Sequence, residues 1–142
     1  MSIGDGQKVQ SKEELARLEE LHSYKIINTP SEKEFDDIAK LIKTLLGVPV
    51  ALITFVDEST QYHKANIGIE LKKMPREHTF CQYALYDKDK TLVVEDATKD
   101  DRFKDNPYVL GEKGIVFYAG HPIVTPKGWT SPPKVDSFLS VV

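Results

Sequence analysis

The side chain with the most distinctive chemistry is Cys81, the single cysteine among 142 residues. It falls near the first turn of a predicted helix, where backbone N–H groups and the helix dipole favour the thiolate. A thiol-dependent redox enzyme or sensor that uses Cys81 is therefore one hypothesis. Its neighbours Phe80, Tyr83 and Ala84 favour the alternative of a small buried side chain, which is the usual environment of a free cysteine.

The sequence predicts neither a metal site nor a bound cofactor. With one cysteine, zinc ribbons and redox pairs within the chain are excluded. His78 and Cys81 are three residues apart and could supply half of a metal site, but two ligands do not hold zinc tightly. The other histidines lack ligand spacing, and we expect them at the surface or in hydrogen bonds: His22, His63 and His121.

Two acidic pairs, Glu95-Asp96 and Asp100-Asp101, could act as general acid and base or bind Mg²⁺. Asp96 and Asp101 fit better as caps of turns and helix starts, where backbone donors need acceptors. The sequence has neither a glycine-rich phosphate loop nor a local Ser-His-Asp motif. We therefore predict no catalytic residue.

The composition is that of one globular domain. Hydrophobic residues make up 40% of the chain and charged residues 29%, which is typical of a folded protein. The net charge of -3 argues against nucleic acid or an anionic membrane as the partner. Apolar runs are too short to span a bilayer, and the N-terminus has no apolar signal region. The sequence thus predicts a cytoplasmic domain behind a flexible leader at residues 1–10.

Hydrophobic periodicity predicts a mixed α and β fold. Capping-box pairs at Ser11 with Glu14 and at Ser31 with Glu34, together with apolar spacing, place helices at about 12–23 and 32–46, and Gly47 is expected to end the second. A run rich in Val, Ile and Phe predicts a central strand at Val48–Val56, covered on both faces. Later elements are expected as a strand at Gln61–Ile67, a helix at 80–86, a strand at Thr91–Val94, a helix from Thr98 to Asn106 and a strand at Ile115–Val124. This order favours an antiparallel α+β sheet over βαβ units.

Several short motifs in a fixed order carry a family resemblance. Along the chain they are Tyr24-Lys25-Ile26, Asn28-Thr29-Pro30, Phe35-Asp36, Leu46-Gly47-Val48-Pro49, Thr79-Phe80-Cys81, Val94-Glu95-Asp96-Ala97-Thr98, Asp101-Arg102-Phe103 and Phe117-Tyr118-Ala119-Gly120-His121-Pro122. Each is weak alone. Together, from about Glu14 to Gly128, the sequence resembles the GAF domain family, in particular the domains at the front of sensor kinases and diguanylate cyclases.

The resemblance implies a GAF-like antiparallel sheet of about five strands, with helices on one face and a loop-roofed pocket on the other. It also implies a non-catalytic regulatory domain of a signal-transduction protein, such as a histidine kinase, that senses an unknown small molecule. The residues expected at the ligand are Phe80, Cys81, Asp96, Arg102, Phe103, Asn106 and Tyr118.

Three branches of the family fit the sequence poorly. Attachment of a bilin needs a cysteine just before the strand at Ile115–Ile123, and none is there. Reduction of free methionine sulfoxide uses several cysteines, so one cysteine cannot form the resolving disulfide within the chain. The constellation of the cyclic-nucleotide-binding members is not found in order, so the ligand stays unidentified.

The resemblance ends at Gly128. Pro132 and Pro133 cannot donate to a sheet ladder, so the family's final strand and output helix are expected to be missing or replaced. The sequence thus predicts a sensory domain at residues 11–128 and a divergent tail at 129–142. Because an empty strand position would leave buried backbone groups unpaired, we expect Ser137–Val142 to supply a shortened strand between the first strand and the one at Ile115–Val124.

The first predicted helix carries a short apolar stripe formed by Leu15, Leu18 and Leu21. The stripe either packs on the chain's own sheet or pairs with a second copy, and it is too short for a stable isolated coiled coil. A homodimer through this helix, or a purely structural and dimerising module, is thus the alternative to a ligand sensor.

Overall fold

The computed structural model describes residues 12–84, 90–111, 114–125 and 134–141. Its helices are α1 Lys12–Ser23, α2 Lys33–Leu46 and the short α3 Pro107–Leu110. Its strands are β1 Ala51–Val56, β2 Thr60–Ile67, β3 Lys73–Pro75, β4 Leu92–Val94, β5 Tyr118–Thr125 and β6 Lys134–Val141. The strands form one antiparallel sheet in the order β3-β2-β1-β6-β5-β4. The predicted α+β class is confirmed, with six strands where about five were expected.

Strand β1 is buried along its whole length, as its apolar sequence predicts. Alternate side chains point to opposite faces of a strand, and the two faces of β1 contribute to two separate cores. Ala51 and Ile53 pack with Ala39 of α2, whereas Val56 packs with residues of the later loops. The strand starts at Ala51 and not at the predicted Val48, which instead packs beside the core under α2.

Strand β6 fills the position between β1 and β5. Its Leu139 is paired with Ile53 on one side and His121 on the other. The strand expected from Ser137–Val142 therefore forms, and it is longer than predicted because pairing with Thr125 begins at Lys134. The sheet needs this strand, since β1 and β5 would otherwise each face a row of unpaired backbone groups. The leader at 1–10, residues 126–133 and Val142 lie outside the described residues.

The predicted capping box of α2, Ser31 with Glu34, is wrong. The N-cap is Glu32 in an extended conformation, and its side chain makes no capping hydrogen bond. The Glu32 carboxylate instead lies 2.8 Å from the buried Lys64 ammonium of β2. The predicted end of α2 is confirmed, since Gly47 adopts a left-handed conformation with φ 64°, which glycine tolerates without a Cβ penalty.

The two later helices predicted from capping signals are 3-10 turns in the structure. The first is a single 3-10 turn at Cys81–Ala84, and the described part of the chain resumes at residue 90. The second is a 3-10 turn at Ala97–Lys99, capped by Asp96. Asn106 begins a helix and does not end one, because its side chain accepts a hydrogen bond from the Tyr108 N–H and Pro107 suits the first helical position.

Helix α1 packs on the chain's own sheet. Leu18 and Leu21 are buried, whereas Leu15 is 53% exposed. Buried Arg17 donates to the Val56 carbonyl at 2.9 Å and to the Glu14 carboxylate at 3.0 Å. Intramolecular packing thus accounts for two of the three leucines, and a homodimer through α1 stays a prediction.

Candidate functional site

A cavity of about 110 Å³ lies between the sheet and the loops on the face opposite α2. The strands contribute its floor through Leu52 of β1, Gln61 and His63 of β2, Tyr118 of β5 and Ser140 of β6. The roof and sides come from the loops and short helices, through Ile69, Leu71, Phe80, Cys81, Tyr108 and Ile115. The walls are mostly apolar, with polar atoms gathered in two places.

The first polar cluster joins Cys81, Tyr118 and Ser140. The Tyr118 hydroxyl lies 2.8 Å from the Cys81 sulfur and 2.9 Å from the Ser140 hydroxyl. All three side chains are buried, and burial raises the pKa of the Cys81 thiol and the pKa of the Tyr118 hydroxyl. A buried thiol with a raised pKa is held in its neutral form, which is a poor nucleophile.

The second polar cluster joins Gln61, His63 and the backbone of Leu71. Nδ1 of His63 lies 2.6 Å from the Leu71 carbonyl oxygen, and Nε2 of His63 lies 3.0 Å from the Gln61 side-chain nitrogen. The same nitrogen donates to the Met74 sulfur at 3.4 Å. Burial lowers the pKa of His63, so the imidazole is neutral at neutral pH.

Aromatic rings support the Cys81 side of the cavity. The Phe80 ring stacks on Phe103 with centroids 4.0 Å apart and an interplanar angle of 1°. Phe80 also packs against Tyr118, with centroids 4.8 Å apart. Phe103 is therefore a buried supporting residue, 1% exposed, that lies behind Phe80 and does not belong to the described cavity wall.

The structure places the predicted ligand-binding residues in two groups. Phe80, Cys81 and Tyr118 line the cavity. The other polar candidates are turned to partners within the protein: Asp96 accepts from the Thr98 N–H, Arg102 pairs with Asp100, and Asn106 donates to the His78 carbonyl. These three are outside the described cavity wall, and contact between them and a ligand stays a prediction.

Sequence reasoning missed the polar wall of the cavity. His63 was expected at the surface or in hydrogen bonds, and it is buried and hydrogen-bonded. The sequence feature that could have predicted this wall is the two-residue spacing of Gln61 and His63, which places both side chains on one face of a strand. Ser140 was missed because it belongs to a tail whose role in the sheet depends on long-range pairing with Leu52 and Gly120.

A second cavity, of about 160 Å³, lies beside the loop between α1 and α2. Lys64 is among its walls, but the Lys64 ammonium already contacts Thr29 Oγ1 at 2.7 Å, the Pro30 carbonyl at 2.6 Å and the Glu32 carboxylate. Its three donors are thus occupied. We therefore take the first cavity as the candidate site.

The described residues contain no cluster of three His, Cys, Asp or Glu side chains that could hold a metal ion. Within the same ranges, none of the helices has the length and apolar character that a membrane crossing requires.

Comparison with known proteins identifies the family. The model of the GAF domain matches residues 30–128. The chain belongs to the GAF domain family. Over 103 residues this GAF domain is 39% identical to a cyclic di-GMP phosphodiesterase of Pseudomonas aeruginosa, with 72% of this chain and 17% of that protein covered. The chain thus spans about one sixth of that relative's length.

Solved structures agree on the fold. The GAF domain of an Acinetobacter phosphoenolpyruvate-protein phosphotransferase aligns with a TM-score of 0.58 at 19% identity, over 92% of this chain and 77% of that one. A type II free methionine-R-sulfoxide reductase from Thermoplasma acidophilum aligns with a TM-score of 0.56 at 8% identity, over 76% of this chain and 70% of that one. At such low identity, both likenesses concern the fold alone.

Proposed function

We propose that this GAF domain is a non-catalytic regulatory domain that senses a small molecule within a larger cytoplasmic signalling protein. The observation that carries the proposal is the cavity between the sheet and its loop roof, because concave, mostly apolar sites with a few polar groups are typical of ligand binding. The relative named as a cyclic di-GMP phosphodiesterase is about six times as long as the matched segment, which covers 17% of it. Regulation of a separate output domain is therefore the role we assign to this one.

The alternative of a thiol-dependent enzyme or sensor has less support. Cys81 is 2% exposed and burial raises the pKa of its thiol, whereas reactive cysteines are accessible and have lowered pKa values. The polar neighbours of the sulfur are the hydroxyls of Tyr118, Ser140 and Thr54. None of these hydroxyls is a base near neutral pH.

A thermal-shift screen of small neutral and anionic metabolites tests the proposal, since a ligand that binds the folded state raises its stability by mass action. Leu71→Trp should abolish the shift, because Leu71 lines the cavity and indole would occupy it. Leu45→Trp is the control, since Leu45 is 69% exposed on α2. Shifts that survive Leu71→Trp, or a library without any shift, would argue against this cavity as a sensor site.

A further inference from the structure

We propose that the cavity selects an uncharged molecule, about the size of one aromatic ring, that donates a hydrogen bond to Oε1 of Gln61. This inference rests on the proposed sensing function and specifies the class of its ligand. The groups that neighbour Gln61 determine the orientation of its side-chain amide.

The Leu71 carbonyl is an acceptor, so Nδ1 of His63, at 2.6 Å, must carry the proton of that hydrogen bond. In a neutral imidazole the other nitrogen, Nε2, is then an acceptor. The Gln61 nitrogen lies 3.0 Å from Nε2 and donates to it. The amide oxygen of Gln61 must therefore point away from His63.

This oxygen is buried without a partner. Gln61 is 4% exposed and lines the cavity, and Oε1 has no hydrogen-bond partner among the described residues. An unpaired buried acceptor is costly, and a ligand that supplies an N–H or O–H recovers that cost. Such a site also discriminates strongly against an analogue that lacks the donor.

The same walls disfavour a charged ligand. Among the described residues that line the cavity there is no Asp, Glu, Lys or Arg side chain. A carboxylate or phosphate would therefore lose its hydration without gaining an opposite charge. The volume of about 110 Å³ is of the same order as the apolar cavity of about 150 Å³ that accommodates benzene in another protein. A single ring with one donor thus matches the site in size, polarity and charge.

NMR titrations of the chain with three probes test the inference. Phenol has the ring and the donor, toluene has the same shape without a donor, and benzoate has the ring with a charge. We expect phenol to bind at least as tightly as toluene, although the phenol hydroxyl must lose its hydration. We expect benzoate not to bind. In Gln61→Met the ratio of phenol affinity to toluene affinity should fall about tenfold.

Thr54→Val is the matched control. Its hydroxyl is also buried, but it neighbours the Cys81 thiol and not Gln61, and Thr54 is outside the described cavity wall, so the ratio should stay as in the parent chain. If Gln61→Met does not fold, phenol is compared with anisole in the parent chain, because anisole keeps the oxygen bonded to the ring but has no donor. Phenol should then bind about tenfold more tightly than anisole.

Equal ratios in the parent chain and Gln61→Met, equal affinities for phenol and anisole, or binding of benzoate would each overturn the inference. Those outcomes leave the sensing function intact, because a ligand still occupies the cavity. If every compound whose thermal shift is abolished by Leu71→Trp is charged, the inference is likewise overturned and the sensing function is intact. Absence of binding by every probe and every screened compound would overturn both proposals.

Discussion

The Tyr118 hydroxyl of β5 lies 2.9 Å from the Ser140 hydroxyl of β6 and connects it to the Cys81 sulfur in the cavity roof. The Tyr118 side chain thus connects two adjacent strands to the segment that covers them. Because the three groups are buried, removing the hydroxyl leaves polar atoms without a partner. We expect Tyr118→Phe to lower the free energy of unfolding by about 1–3 kcal/mol, measured by urea denaturation.

Tyr83→Phe is the control for this change, since Tyr83 is 51% exposed. Its free energy of unfolding should stay within about 0.5 kcal/mol of the parent value. Equal effects of the two substitutions would show that the Tyr118 hydroxyl has no special structural role.

Gly120 gives a second prediction, because a side chain there would collide with Tyr118. An added Cβ would lie 2.2 Å from the Tyr118 hydroxyl and 2.8 Å from Cζ. The ring is buried and held by Cys81 and Ser140, so it cannot move away freely. Gly120→Ala should therefore destabilise the chain by about 1–3 kcal/mol through overpacking, seen as a lower midpoint of thermal unfolding.

Gly111→Ala serves as the comparison for Gly120→Ala. An added Cβ at Gly111 would have no atom within 4 Å, and the residue has an ordinary φ of -68°. A midpoint for Gly120→Ala that matches that of Gly111→Ala would mean that Tyr118 yields without cost.

The sheet and its two long helices follow from local sequence signals. The apolar run that ends at Val56 is typical of a strand buried on both faces, and Gly47 ends α2 as predicted. Capping signals were less reliable, because an Asn or Asp side chain near a turn can bind either the chain before it or the chain after it. Asn106 does both, accepting from the Tyr108 N–H and donating to the His78 carbonyl.

The polar wall of the cavity could not be predicted from local pattern. Whether Gln61 and His63 face water or a cavity depends on the segment that covers β2, and the Leu71 carbonyl that sets the His63 tautomer comes from that segment. Conversely, Asp96 and Arg102 look like ligand-binding groups in the sequence, yet the side chain of each has a partner within two residues. Sequence shows which polar residues exist, and tertiary packing decides which are left to face a ligand.

Cys81 gives a third prediction, which concerns the accessibility of its thiol. Since the side chain is 2% exposed and burial raises the pKa of the thiol, alkylation by iodoacetamide at neutral pH should be slow in the folded chain and fast in urea. Mass spectrometry measures the rate. A cysteine introduced by Thr44→Cys at an exposed position of α2 should react rapidly under the same native conditions. Fast native labelling of Cys81 itself would revive the thiol hypothesis.

The buried charges of α1 give a fourth prediction. Arg17 is 1% exposed and Glu14 is fully buried, and Arg76 from beyond β3 also contacts the Glu14 carboxylate at 2.8 Å. Arg17→Met removes a cation from a buried charge network, so we expect a loss of about 3–5 kcal/mol in the free energy of unfolding. Lys33→Met removes an exposed cation and should change stability by less than about 1 kcal/mol. Similar losses in both variants would show that the network around Glu14 adds little.

His63 gives the last prediction, which concerns pH. Burial lowers the pKa of His63 in the folded chain, whereas an unfolded histidine has a pKa of about 6.5. Below that pH the unfolded chain binds a proton that the folded chain does not, so the free energy of unfolding must fall as pH falls. The decline should start as pH drops through about 6.5 and end at the lower folded-state pKa.

Urea denaturation at several pH values measures this decline, and two variants assign it. His63→Gln removes the buried imidazole, so its stability should fall less steeply over that interval than that of the parent chain. His121→Gln removes an exposed imidazole and should retain the parent slope. If His63→Gln keeps the full slope, another group titrates there, and the neutral His63 that orients the Gln61 amide loses its support.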